Sequence, residues 1–236
     1  MNELPDTDST AISEDSLSSE HLPLDSACAP PVRRALHSPR SWGRLLIVLL
    51  IGLGLDWGSK WWCFEHVAGD RVELNRERLL AEPSFNPIPW GHEGRDILPW
   101  DLLELRLVLN PGAVFGIGPD KRVFFIAFTL LALGGGLFVF GRYTTVRHRL
   151  AHFAIGMILA GGLGNLYDRL AIGRVRDFLH MLPGWHLPFG WAWPGNNPEV
   201  FPWVFNVADV MLLLGMLLLM IHINRTEEGK NGEVSN

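Results

Sequence analysis

The chain of 236 residues is 48% hydrophobic and only 19% charged, with 25 Gly, 16 Pro, 10 Trp and a mean hydropathy of +0.16. An ordinary soluble domain carries about 25% charged residues, so this chain has too little charge to cover one globular surface and a membrane-embedded fold is the first class to test. Two cysteines, Cys28 and Cys63, exclude a disulfide framework and a cysteine-rich zinc module.

The net charge of −5 is unevenly spread. Met1 to Pro31 holds seven acids and no Lys or Arg, and taking these away leaves the rest of the chain at +2. This stretch is rich in Ser, Asp, Glu and Pro and lacks apolar periodicity, so residues 1–40 are expected to form a disordered, acidic tail on the cytoplasmic side. The first apolar run arrives only after Trp42, which does not fit a secretory signal. No apolar segment precedes Ser26-Ala27-Cys28, so lipidation of Cys28 is not expected.

A bilayer span needs about 20 mostly apolar residues, and four stretches come near that length: about 45–64, 123–141, 151–170 and 204–223. Their backbones must satisfy their own hydrogen bonds in lipid, so helices are predicted. The expected fold is an all-α membrane protein of four transmembrane helices, residues 41–225, with a cytoplasmic tail at 226–236. Arg33, Arg34, Arg40 and Arg44 precede the first span, and Arg142, Arg147 and Arg149 lie between the second and third. Both basic segments read as cytoplasmic, which puts both termini inside. Six Trp fall in the two outer segments, where an aromatic belt or a small folded lobe is expected. Leu103, Leu105, Leu107 and Leu109 alternate like a half-buried strand, so a small β-sheet lobe on the outer face is added to the four helices.

Asp56, Lys60, Asp168, Arg169 and Asp209 lie in or beside these spans. Each would cost about 2.5–3.5 kcal/mol unpaired at mid-bilayer, so they must pair, reach an interface or line a polar cavity. In the predicted topology all fall toward the outer face. The pairs Asp56/Lys60, Asn165/Asp168, Asn165/Arg169 and Asn206/Asp209 each have helical spacing that shares a face. Asp56 with Lys60 reads either as an intrahelical ion pair or as a group positioning substrate or the outer lobe; Asp168 and Arg169 read as ion-pairing or capping residues. Asp177 lies outside the spans and taken alone is a solvated loop acid. Asp209 changes that reading. A carboxylate in an apolar helix needs a partner, and a second carboxylate would let the two share a proton and hydrolyse an amide with water. His92-Glu93 does not continue into a zinc-protease motif, and neither a nucleophile elbow nor a P-loop is present.

Five ordered blocks then resemble the bacterial lipoprotein signal peptidases (signal peptidase II). They are Asp56-Trp57-Gly58-Ser59-Lys60, Asn110-Pro111-Gly112-Ala113-Val114-Phe115-Gly116, Gly161 to Arg169, Val175-Arg176-Asp177-Phe178, and Phe205-Asn206-Val207-Ala208-Asp209. The resemblance covers about Arg44 to Ile223. It implies an inner-membrane aspartyl endopeptidase, active at the outer face without metal or cofactor, that cleaves a prolipoprotein just before a diacylglyceryl-modified cysteine. Membrane lipid is an implied partner, nucleic acid is not, and a monomer is expected. Asp177 and Asp209 would be the catalytic pair. Asp56, Lys60, Asn110, Gly112, Asn165, Arg169, Asn206 and Ala208 would shape the pocket and hold substrate, with Asp168 as structural support. Val114 and Ala160 depart mildly from the family pattern, and the outer segments 65–109 and 179–203 look long. The latter, inserted between two blocks, is expected to cover the site or read the substrate. The competing reading is a proton-coupled transporter or assembly factor, for which acids would line a path across the bilayer, whereas here the inner halves hold none.

Overall fold

The computed structural model describes residues 33–92, 94–112 and 122–234, with side chains described as far as Glu227. The tail as far as residue 32, Glu93, residues 113–121 with Val114, and the last two residues lie outside the described part. Five helices and one sheet follow in the order α1 (Pro39–His66), α2 (Arg76–Ala81), β1 (Arg95–Leu98), β2 (Leu103–Asn110), α3 (Arg122–Tyr143), α4 (Arg149–Ala171), β3 (Val175–Met181), β4 (Val204–Phe205) and α5 (Val207–Val234). Among these, α1, α3, α4 and the Val207–Glu227 part of α5 are long and apolar enough to cross a membrane.

Three boundaries differ from the sequence expectation. Residues 33–40, assigned to the tail, are structured: Ala35 is fully buried, its N–H donates to Thr144 O at 3.0 Å, and Ser38 caps α1 ahead of Pro39 by accepting from Ser41 N–H at 3.3 Å. The fourth span begins at Val207 rather than residue 204, because Val204 and Phe205 pair with β3 as a strand. At its other end α5 continues as helix through 226–234, assigned from sequence to a tail.

Helix α4 is the centre of the bundle and packs against α1, α3 and α5. Its glycines make this possible. A Cβ at Gly156 would meet Val48 at 2.9 Å, one at Gly161 would collide with the carbonyl of Ala208, and one at Gly164 with the Asp56 carboxylate. Small residues replace side-chain layers with close backbone approach, a main source of helix attraction where lipid supplies no hydrophobic drive. Ala160 stands opposite a gap of matching size: a Cβ on Gly52 of α1 would lie 2.7 Å from the Ala160 methyl. The mild departure at position 160 is thus met by a glycine across the interface. Helix α3, by contrast, has Phe140 as its only buried described residue.

The four strands form an antiparallel sheet in the order β1-β2-β3-β4. The leucine alternation is borne out in β2, where Leu105, Leu107 and Leu109 are buried. They pack with Phe178 of β3 and with Cys63 and Phe64 from the end of α1, so the sheet and the segment after α1 share one core. A bulge between Leu105 and Val108 shifts the pairing. Beyond it, Leu109 faces that core, and Asn110 shares the opposite face with Asp177. The N-terminal segment pairs with the α3–α4 link through Arg34 and Thr145, so the two basic segments lie on one side of the bundle, opposite the sheet. That end also holds a feature the charge count passed over: a cluster in which His148 lies 4.7 Å from His222 and fully buried His152 packs against Phe140.

Candidate active site

Polar side chains from α1, β2, β3, α4 and the start of α5 meet at the sheet end of the bundle. The N-terminus of α5 organises them. Asn206 is not on a helix face, as its spacing from Asp209 predicts, but is the residue that caps α5: its Oδ1 accepts from Asp209 N–H at 3.1 Å, and Asp209 Oδ2 accepts from Asn206 N–H at 3.1 Å. This is a reciprocal capping box, and it orients the Asp209 carboxylate. Asp56 Oδ1 accepts from Ala208 N–H at 3.0 Å, satisfying another of the unpaired N–H groups that every helix start leaves. Ala208 is fully buried, and only a small side chain fits between Asp56 and Gly164.

The same Asn206 reaches the second carboxylate. Its Nδ2 donates to Asp177 Oδ1 at 2.6 Å and to Asn165 Oδ1 at 3.1 Å. Asn165 Nδ2 donates to Asp209 Oδ1 at 2.8 Å, and Asn110 Nδ2 donates to Asp177 Oδ2 at 3.1 Å. Asn110 is itself set by an Asx turn in which its Oδ1 accepts from Gly112 N–H at 2.8 Å. Gly112 has φ +102°, and a Cβ there would meet the Phe125 ring at 2.8 Å, so the turn requires glycine on both counts. Asp177 and Asp209 are therefore bracketed by three amides, with one residue touching both.

Their settings differ. Asp177 is no solvated loop acid: it sits in β3, one of the two inner strands, and is 2% exposed. Burial, and next the nearby Asp209 charge, push its carboxyl up to about 7, against donors from Asn110 and Asn206 that favour the ionised form. Asp209 is half-buried and lines an apolar groove of about 800 Å³ with Phe201, Phe205, Val210 and Leu213. Arg169 lies within electrostatic range of both carboxylates, donates to Asn165 O at 3.1 Å, and stacks its guanidinium 5.4 Å from the Phe125 ring centre.

Behind this pair lies a second cluster, built on salt bridges. Lys60 Nζ, fully buried, contacts Asp56 Oδ2 at 2.8 Å, Asn165 Oδ1 at 3.1 Å and Asp168 Oδ2 at 3.3 Å. The intrahelical pair read from sequence is present but is one edge of a larger network. Asp168 pairs with Arg176, which donates its Nη2 to Oδ1 at 2.8 Å and its backbone N–H to Oδ2 at 3.0 Å. Asp168 and its neighbour Arg169 thus point to different partners. Arg176 was missed as a contributor, although it stands in a quoted block. Its signal is strand alternation, which turns it away from Asp177 and toward Asp168. Arg174 was missed too. Its guanidinium donates to four backbone carbonyls between Leu79 and Phe85, at 2.8–3.3 Å, and pins the segment around α2 to the start of β3.

Fold and site together define a polytopic membrane protein with a close, amide-held aspartate pair at one end of its helical bundle. The family of signal peptidase (SPase) II matches residues 47–225. A lipoprotein signal peptidase from Anaeromyxobacter sp. is 34% identical over 194 residues, covering 77% of this chain and 84% of its own length. One from Chlamydia trachomatis serovar D is 33% identical over 188 residues (78% and 93%), and one from Symbiobacterium thermophilum 37% over 132 residues (56% and 76%). Among solved structures, a bacterial membrane enzyme superposes with a TM-score of 0.56 at 23% identity, covering 80% of this chain and 92% of that one, which shows a shared fold. The chain belongs to the signal peptidase II family. It is a membrane protease, and the transporter or assembly-factor reading finds no support.

Proposed function

We propose that Asp177 and Asp209 are the catalytic pair of an endopeptidase that removes signal peptides from prolipoproteins, cutting before a cysteine that already carries diacylglycerol. The observation that carries this reading is Asn206, which holds Asp177 Oδ1 at 2.6 Å through its side chain and Asp209 Oδ2 at 3.1 Å through its backbone, and so fixes two carboxyl groups around one residue. With its carboxyl raised to about 7, Asp177 holds the proton near neutrality and acts as general acid. Asp209, facing the groove, acts as general base and takes a proton from water. Water then attacks the scissile carbonyl carbon as Asp177 protonates the carbonyl oxygen. Collapse of the tetrahedral intermediate breaks the C–N bond; the proton gained by Asp209 passes to the leaving amine, and one hydroxyl of the intermediate returns its proton to Asp177 as the new carboxyl group forms. Arg169 and Asn165 stand where they can hold the substrate backbone; Asp56, Lys60, Asp168 and Gly112 act by keeping the pair in place.

The site faces the outer side of the bacterial inner membrane in this reading, with both termini in the cytoplasm. Support comes from the basic segments gathered at the opposite end of the bundle. The described site residues all come from one chain, and a monomer is part of this reading. The test is cleavage of a diacylglyceryl-modified prolipoprotein peptide by the full chain in lipid vesicles. Full turnover by Asp177→Asn or Asp209→Asn would end the two-aspartate assignment. Cleavage of an unmodified peptide at the same rate would remove the requirement for diacylglycerol.

A further inference from the structure

Between Asp177 and Asp209 the chain runs for 31 residues with a single Asp, Glu, Lys or Arg, namely Glu199, where the chain average of 19% would place about six. The middle of this stretch is an ordered excursion. Val200 N–H donates to Trp185 O and Leu187 N–H to Pro198 O, both at 2.7 Å, and Trp193 N–H to Asn197 O at 2.8 Å. Its base is held to the sheet by His180, whose Nδ1 lies 2.7 Å from Glu104 Oε1 and Nε2 3.1 Å from Phe201 O. An uncharged segment fixed this firmly is expected to fold its rings inward. It does the reverse: Phe189 is 91% exposed, Trp191 67% and Trp185 48%. At the tip Phe189 and Gly190 both have positive φ, 62° and 72°. Glycine adopts this freely, but a residue with a Cβ is strained there, so the backbone is bent unfavourably to hold a phenyl ring away from the protein.

The surroundings say what the rings meet. The apolar groove beside Asp209 runs from Leu213 and Leu214, exposed on the membrane-crossing part of α5, past Phe205 and Phe201 to Leu182 at the base of the excursion. The lipid-facing surface of the helix and the aromatic segment are thus one continuous apolar surface. Trp and Phe on a carrier whose one carboxylate, Glu199, already lies 3.5 Å from His180 favour the layer between headgroups and acyl chains. We propose that residues 185–200 form a membrane-seated finger whose tip, Phe189 and Trp191, lies in the interfacial layer on the site's side of the bilayer and ties the Asp177 strand to the lipid surface. The proposal rests on the bilayer-spanning reading of the helices and not on the roles of the aspartates.

The test is positional. Phe189→Cys is made in a Cys28→Ser chain, where buried Cys63 stays unlabelled, and carries an environment-sensitive dye into vesicles of phosphatidylethanolamine and phosphatidylglycerol. The dye is expected to be quenched by nitroxides placed high on the lipid acyl chains and shielded from aqueous iodide. A label at Trp191→Cys, which keeps Phe189 at the tip, is expected to behave alike. Quenching by iodide without nitroxide effect would place the finger in water and overturn the proposal. Protection from both quenchers would make it a lid or protein contact and overturn it equally. In Asp177→Asn the lipid contact is expected unchanged, so failure of the catalytic assignment and failure of the finger are separate results.

Discussion

Two pairs of aspartates stand at the same end of the bundle, and they are held by opposite means. Asp56 and Asp168 share Lys60, and Asp168 also receives Arg176, so two buried negative charges face two positive ones at 2.8–3.3 Å. Asp177 and Asp209 receive instead the neutral amides of Asn110, Asn165 and Asn206. Amides supply hydrogen bonds without cancelling charge, and two carboxylates so placed favour sharing one proton. The first pair is matched by opposite charges at contact distance; in the second, Asp177, with its carboxyl raised to about 7, keeps a proton available near neutral pH. Residue type is alike in the two and Asp177 is as buried as Asp56 and Asp168, so in the proposed reading partner chemistry divides structure from reaction.

That contrast is broken most sharply by removing charge from each pair in turn. Asp177→Asn and Asp209→Asn are expected to lower turnover by roughly 10²–10⁴-fold each, the usual contribution of a general acid or base, with thermal melting in detergent little changed. Lys60→Met is expected to do the converse. It strands Asp56 and Asp168 together in the interior and costs about 3–5 kcal/mol of stability, read as a lower melting temperature. If Lys60→Met melted like the native chain while losing turnover, the charged cluster would belong to the chemistry after all.

Smaller in effect is Asn206→Ala. Loss of the α5 cap costs about 1 kcal/mol. Asp177 also loses its 2.6 Å side-chain donor, while the backbone N–H of residue 206 still reaches Asp209, so turnover is expected to fall much more than melting temperature, whereas the cap substitution Asn206→Ser should restore stability and only part of the turnover. Full recovery of turnover along with stability in Asn206→Ser would mean that Asn206 acts only as a cap.

How far this contrast was legible beforehand follows from what each partner's signal looks like in a sequence. The Asp56/Lys60 pair shows itself because both residues lie on one helix four positions apart. Apolar length gave the four helices, and the leucine alternation gave β2. Arg176 stayed hidden because its bond to Asp168 crosses from a helix to a strand, and neither period links the two. Asn206 was assigned to a helix face because periodicity carries through a boundary that only sheet pairing of Val204 and Phe205 with β3 reveals. The depth of Asp177 was out of reach for the same reason: its burial is produced by β2 on one side and α5 in front, which are distant in sequence. The ordered excursion at 185–200 was legible only as composition, since its exposed rings depend on a bent tip at Phe189.

The finest probe of the contrast is Asn110→Ala, which removes one neutral donor and leaves every charge in place. Asn110 donates to Asp177 Oδ2 at 3.1 Å and so stabilises the ionised form of a carboxyl that burial has already raised to about 7. Without it the protonated form gains, and the Asp177 pKa moves further up, by roughly half to one unit if part of a charge-assisted hydrogen bond is lost. In the proposed mechanism the working form has Asp177 protonated, so activity is lost as pH rises through that value, and a higher value carries the alkaline limb of kcat/KM toward higher pH. The variant should therefore lose relatively less activity than the native chain between pH 7 and 8, even if its turnover at pH 6 is lower because Asp177 is held less well. A limb that moved to lower pH would mean that Asp177 works ionised, and the acid and base would have to exchange names.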